Sequence, residues 1–171
     1  IVIGPVTFAI ANGLTYSLVY IFTKFALLGG LIFGALYAPI VITGMHQSFL
    51  AIDFQLIAST GGALLWPMVA LSNIAQGSSS LAMMVLAKDE KLKGLAFTSA
   101  ISAYLGITEP AMFGVNLRFK IPFFCAMAGA SLGAALIAVE GVRASAIGVG
   151  GLPAFLSIMP HYWMTYFMAM G

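Results

Sequence analysis

Charge is what this sequence has least of: only 7% of its 171 residues are Asp, Glu, Lys or Arg. Soluble domains carry roughly 25% charged residues, so an ordinary soluble fold is excluded. A mean hydropathy of +1.06 and a hydrophobic fraction of 61% indicate a polytopic membrane protein instead. The formal net charge is +2, and no basic patch suggests nucleic acid as a partner.

Cysteine and the common chemical motifs are also scarce. The single cysteine, Cys125, excludes an internal disulfide, and its apolar surroundings over residues 123–130 predict a small buried side chain, not a reactive thiolate. The sequence has no phosphate-cradling loop, no His or Cys cluster with zinc spacing and no serine nucleophile elbow. We therefore expect no cofactor and no metal, and any phosphoryl donor must come from elsewhere.

Long apolar runs are what the sequence has in abundance. Residues 25–45 and 121–139 are long enough, or nearly so, to span about 30 Å of hydrocarbon as helices, whereas barrel strands would be short and alternating. Nineteen glycines suit transmembrane helices that pack closely. The predicted fold class is all-α, a polytopic membrane helical bundle with re-entrant hairpins.

The same runs divide the chain into segments. Helices are predicted over 1–23, over 25–43 with a kink near Pro39, from Trp66 as an interfacial anchor to about 87, and over 121–139. Residues 49–57 are too short to cross alone and are predicted to be re-entrant or interfacial. Four shorter stretches connect these segments or follow them. We predict a water-exposed connection over 88–93, a polar turn over 140–143, a glycine-rich break over 148–153 and an interfacial belt over 160–163.

Residues 106–110, Gly-Ile-Thr-Glu-Pro, are the most informative stretch. They place the carboxylate of Glu109 inside the apolar stretch 95–117, and an ionisable group at bilayer depth usually faces a cavity, a partner or a substrate. Pro110 removes a backbone donor and disfavours the α region at Glu109. Irregular backbone at that depth survives only when protein buries it or when it lines a water-filled space.

The basic residues predict how the stretch 95–117 meets the membrane. If it crossed, the lysines of residues 88–93 would lie on the opposite side from Arg118 and Lys120, against the tendency of Lys and Arg to stay cytoplasmic. A re-entrant hairpin that opens to the cytoplasm, with Glu109 near its tip, removes the conflict.

Glu109 and His46 are the ionisable groups set most deeply in apolar sequence. A carboxylate and an imidazole supply acceptors and donors for sugar hydroxyls, and either could position an acceptor hydroxyl and take its proton in a phosphoryl transfer. Each residue also has a purely structural explanation. His46 could bond a backbone carbonyl, and Glu109 could form an ion pair with Arg118 or Lys120.

Asn73 and Gln76 are three residues apart and share one helix face. Both could bind sugar hydroxyls, and interhelical hydrogen bonding explains them at least as well.

Three stretches of the sequence resemble stretches of a known family and follow one another in the same order as in that family. Residues 105–117, 43–49 and 70–77 are similar to the membrane-embedded C domain of bacterial phosphotransferase-system sugar permeases, in the glucose and glucoside superfamily. Residues 49–57 look most like the trehalose permeases, with the sucrose and other glucoside permeases as near neighbours.

The resemblance implies a multi-pass permease of the bacterial cytoplasmic (inner) membrane that binds a disaccharide, foremost trehalose. It implies phosphorylation at a 6-hydroxyl by a phosphocysteine B domain, itself charged by an A domain or protein, and a homodimer. Glu109 and His46 are then the expected catalytic residues. The expected substrate-binding residues are those two together with Thr108, Gln47, Asn73, Gln76 and Asn116.

Within that family, residues 1–171 correspond to the C-terminal, substrate-binding half of the C domain, without the N-terminal half or the B domain. We therefore expect this chain alone neither to transport nor to phosphorylate. Two other classes remain open: a proton-coupled secondary sugar transporter in which Glu109 and His46 relay protons, and a purely structural membrane subunit.

Overall fold

The computed structural model describes residues 13, 17, 20–22 and 24–171. Most of the helix predicted over 1–23 lies outside the described residues. Within them the chain is helical, and the only strand-type pairings are isolated bridges among Ala63, Ala144 and Ile158. The predicted all-α class is confirmed.

The described elements follow one another as eight α-helices, one π-helix and two 3₁₀ helices. They are α1 (Ala26–Ile42), α2 (Gln47–Thr60), α3 (Trp66–Leu86), α4 (Glu90–Tyr104), α5 (Glu109–Ala111), a π-helix (Met112–Asn116), α6 (Leu117–Phe119), α7 (Ile121–Val139), 3₁₀ helices at Leu152–Ser157 and Pro160–Tyr162, and α8 (Trp163–Met170).

Two described helices, α3 and α7, are long and apolar enough to cross a membrane by length and composition. Their bounds match the prediction to within a residue. Helix α1 is apolar but has 17 residues, with Pro39 inside it. Helix α2 has 14 residues, about 21 Å at 1.5 Å per residue, so it is too short to span, as predicted.

Small residues let α1 and α7 approach closely. A Cβ atom added to Gly30 would lie 2.5 Å from the backbone oxygen of Ala134, and one added to Gly34 would lie 2.5 Å from that of Ala130. Ser131 Oγ donates to the carbonyl of Leu31 at 2.8 Å. Glycines and alanines four apart on both helices form a small-residue interface typical of membrane helices.

Helix α3 lies between α4 and α7. Gly77 packs on the ring of Tyr104, with a would-be Cβ 3.1 Å from the ring, and Ser79 Oγ donates to the carbonyl of Pro122 at 2.6 Å. This central position brings polar groups of α3 within reach of two neighbouring segments.

The chain does fold back on itself around Glu109, as predicted; the re-entrant course of this hairpin and its cytoplasmic opening stay predictions. Helix α4 ends at Tyr104, the chain turns through Gly106 with φ +98°, and the return segment begins at Glu109. Gly114 lies beside the Leu95 side chain, 3.8 Å from a would-be Cβ, so the two limbs run side by side. Glu109 therefore stands just past the tip, as predicted, and on no continuous spanning helix.

The loops around Ala63, Ala144 and Ile158 meet at one end of the bundle, where isolated bridges join them. Ala63 and Ala144 exchange backbone hydrogen bonds of 2.8 and 3.0 Å. Asp53 is 1% exposed, and its Oδ1 accepts from the backbone N–H of Leu65 at 3.0 Å. A carboxylate beside the first turn of α3 satisfies one of the helix's free N–H groups and ties α2 to α3.

Several predictions about individual positions are wrong. Trp66 does start a helix, but it is 8% exposed and cannot be an interfacial anchor. Cys125 is exposed and not buried, because an apolar run does not by itself determine which face is covered. The connection over 88–93 is shorter than predicted, since α4 begins at Glu90 with Asp89 as its cap.

Candidate functional site

A cavity of about 270 Å³ lies where five segments meet: the second half of α1, the turn into α2, the first half of α3, the hairpin tip and the loop around Gly150. Five of the sequence-predicted site residues line it: His46, Gln47, Asn73, Thr108 and Glu109. They come from three separate parts of the chain. The fold therefore brings together most of the predicted site.

Glu109 stands on the rim of this cavity. It is exposed, whereas the preceding Thr108 is 7% exposed. The only ion pair among the described residues joins Lys93 and Glu90, so Glu109 is not paired with Arg118 or Lys120. Among the described residues, no side chain or backbone group hydrogen-bonds to its carboxylate.

His46 ends the turn that leads into α2 and is half-buried. Its Nε2 lies 3.1 Å from Nε2 of Gln47. The two side chains are within hydrogen-bond distance, and the tautomer of the ring decides which nitrogen donates. In the described part of the chain neither ring nitrogen bonds a backbone carbonyl, contrary to the structural alternative for this histidine.

Asn73 joins α3 to the hairpin tip. Its Nδ2 donates to the carbonyl of Gly106 at 3.4 Å, a long hydrogen bond, and the side chain is 6% exposed. The residue therefore both lines the cavity and ties its two walls together.

Gln76 and Asn116 do not line the cavity. Asn116 Nδ2 donates to Gln76 Oε1 at 2.7 Å and to the Gln76 carbonyl at 3.0 Å, and Ser80 Oγ donates to Asn116 Oδ1 at 3.1 Å. All three are at most 1% exposed. This is the interhelical bonding considered as the alternative for Gln76, and a substrate role for either residue stays a prediction.

Two aromatic residues that the sequence did not single out for the site also line it, Tyr37 and Trp66. In the described part of the chain, buried side-chain polar atoms without a partner are found at His46 Nδ1, Trp66 Nε1 and Ser99 Oγ. Two of these three belong to cavity residues. The sequence did mark Trp66 as an aromatic residue at the start of a helix. Tyr37 lies in an unbroken apolar run, and nothing in the sequence distinguishes it as a site residue.

The described residues form a helical bundle that contains two helices long and apolar enough to cross a membrane and a cavity lined in part by polar side chains. The family described as "Phosphotransferase system, EIIC" matches residues 1–130, and the chain belongs to this family. The resemblance drawn from residues 43–49, 70–77 and 105–117 is confirmed.

Relatives match over nearly the whole chain. It is 59% identical over 171 residues (99% of the chain) to the trehalose-specific EIIBC component of Bacillus subtilis (strain 168). It is 47% identical over 169 residues (98%) to the trehalose-specific EIIBC component of Escherichia coli (strain K12), and 48% identical over 172 residues (99%) to the sucrose-specific EIIBC component of Pasteurella multocida (strain Pm70). The chain spans 36% of the length of each of these relatives. No solved structure matches it.

Proposed function

We propose that this chain is the sugar-binding part of a phosphotransferase-system permease that takes up and phosphorylates a disaccharide, with trehalose as the substrate and sucrose as the alternative. The observation that carries the proposal is the convergence of Glu109, His46 and Asn73 on one cavity. The names of the relatives, trehalose-specific and sucrose-specific, support the substrate class.

The cavity offers complementary groups for a sugar ring. Glu109 accepts from hydroxyls, and the imidazole of His46 and the amide of Asn73 offer further polar groups to them. The rings of Tyr37 and Trp66 offer apolar surface to the C–H face of a sugar ring. Small-molecule sites usually measure roughly 300–1,000 Å³, so a cavity of about 270 Å³ holds one glucosyl ring. The second ring then extends past the rim.

Phosphorylation requires a partner, a phosphocysteine B domain that an A domain or protein charges. The relatives named above are EIIBC components, and a sucrose-specific relative of Pediococcus pentosaceus is an EIIBCA component. Cys125 does not line the cavity. In the proposed step the P–S bond of the B domain breaks as a P–O bond forms at the sugar 6-hydroxyl, and Glu109, with His46 nearby, positions that hydroxyl and takes its proton.

The proposed setting is a homodimeric, multi-pass permease of the bacterial cytoplasmic (inner) membrane. Because this chain is about a third of its relatives in length, each test uses the full-length permease.

A binding panel of trehalose, sucrose, maltose and glucose tests the site, with Glu109→Gln as the diagnostic variant. A hydrogen bond to a charged group contributes about 1.5–3 kcal/mol, so the variant should bind trehalose about 10- to 100-fold more weakly by calorimetric titration. His46→Ala should also weaken binding. The matched control is Glu140→Gln, an exposed carboxylate in the polar turn after α7, which should bind normally. Normal affinity in Glu109→Gln would remove this carboxylate from the site.

Vesicles separate the proposed mechanism from proton coupling. Uptake should stop when the B domain cannot be phosphorylated and should continue when the proton gradient is dissipated. The opposite pair of results would identify a secondary transporter.

A further inference from the structure

One residue of the loop at residues 148–151 contributes bare backbone to the wall of the cavity. Gly150 lines the cavity. A Cβ atom added to Gly150 would lie 2.5 Å from Nδ2 of Asn73 and 3.4 Å from Cα of Gly106. One added to Gly106 would lie 2.9 Å from the backbone nitrogen of Gly150. The loop and the hairpin tip therefore touch backbone to backbone, with the Asn73 amide beside the contact.

The next residue fixes this loop in place. Gly151 has φ +67°, and a Cβ there would collide with the carbonyl oxygen of Tyr104 at the end of α4. Its own carbonyl accepts from the hydroxyl of Tyr166 in α8 at 3.2 Å. Tyr166 is fully buried, at 0% exposure. The loop is thus held between the hairpin and α8.

Gly150 and Gly151 need to be glycine for different reasons. Gly151 has a backbone conformation that favours glycine. Gly150 has no left-handed φ, so its backbone would accept alanine, and the obstacle is space alone. A methyl group at 150 would displace the Asn73 amide, which donates to the Gly106 carbonyl at 3.4 Å.

We propose that Gly150 is a positioning residue of the sugar site: its missing side chain sets where the Asn73 amide stands and how closely the hairpin tip that carries Glu109 approaches the loop. This inference rests on the proposed function and adds a residue that makes no side-chain contact with the ligand. Gly150 acts through Asn73, whose Nδ2 would lie 2.5 Å from an added Cβ.

The test is the affinity of the full-length permease for trehalose in Gly150→Ala. A displaced amide loses a neutral hydrogen bond, for which a 3- to 10-fold weaker affinity is expected (about 0.5–1.5 kcal/mol). The matched control is Gly94→Ala in α4 of the same hairpin, where an added Cβ meets nothing within 4 Å. That variant should bind as the parent does.

A double-mutant cycle with Asn73→Ala separates positioning from general loosening. Asn73→Ala removes the atom that the new methyl group would strike, so adding Gly150→Ala in that background should change the affinity less than twofold. An equal loss in both backgrounds would overturn the proposal, as would an unchanged affinity in Gly150→Ala alone.

Two further measurements keep the result interpretable. If Gly150→Ala folds poorly, the double variant should recover its thermal unfolding temperature, since the collision is gone; failure to recover would count against the proposal. Tyr166→Phe keeps the ring but removes the hydroxyl that donates to the Gly151 carbonyl, so it should weaken trehalose binding in the folded fraction. Unchanged binding would contradict the inference that this hydrogen bond holds the loop in place. A parent permease that binds neither trehalose nor sucrose would instead refute the proposed function.

Discussion

Polar side chains within this apolar chain fall into two groups at the scale of single residues. Asn116, Gln76 and Ser80 bond one another in a buried network, so they have little left to offer a ligand. Glu109 and His46 line a cavity with bonding capacity to spare. A residue type therefore does not reveal its role here, whereas its remaining hydrogen-bonding capacity does.

Asn116→Ala tests this division. It would leave Gln76 Oε1 and Ser80 Oγ without partners in a buried place, which costs about 1–3 kcal/mol. We expect a lower unfolding temperature in detergent and a trehalose affinity within about twofold of the parent in the folded fraction. Lost binding with normal unfolding would instead make Asn116 a ligand residue, as the family resemblance implies.

At the scale of elements, small residues decide how α1 and α7 meet. Would-be Cβ atoms on Gly30 and Gly34 lie 2.5 Å from backbone oxygens of α7, and backbone cannot move aside as a flexible side chain can. Helix α1 carries Tyr37 and Val41 to the cavity, so this contact also sets one wall of the site.

Gly34→Ala should force the two helices apart. Overpacking of this kind costs typically about 1–3 kcal/mol, which should lower the thermal unfolding temperature of the purified permease. Gly129→Ala in α7, whose Cβ would stand 4.0 Å from that of Ala75, is the matched control and should unfold as the parent does. Identical unfolding of both variants would show that α1 and α7 can absorb the added methyl group and are not in close backbone contact.

At the scale of the whole molecule, five of the seven lysines and arginines lie at one end of the bundle. Helices α3 and α7 are antiparallel, since Ser79 contacts Pro122 and Leu71 contacts Gly133. The end of α3 therefore lies near the start of α7, and the lysines of residues 88–93 lie at the same end as Arg118 and Lys120. This placement agrees with a hairpin that enters and leaves on one side, and the cytoplasmic orientation of that side stays a prediction.

Single cysteines can establish the orientation. In a full-length permease with Cys125, which is exposed, and any other cysteine replaced, cysteine at position 91 or 118 should react with a membrane-impermeant maleimide only in inside-out vesicles. Cysteine at position 140, beyond the far end of α7, should react only in right-side-out vesicles. Labelling of 91 and 118 from opposite sides would contradict the hairpin.

The sequence by itself determined the helix lengths of α3 and α7 and the hairpin around Glu109. These depend on properties that run along the chain: how far an apolar run extends, where proline interrupts it and on which side the lysines fall.

Only the tertiary structure decided which polar groups meet. Asn73 and Gln76 are three residues apart on one helix, yet Asn73 lines the cavity and Gln76 bonds Asn116. Trp66 turned inward and Cys125 outward. A side chain's partners depend on what distant segments present to it, and local sequence carries no record of those neighbours.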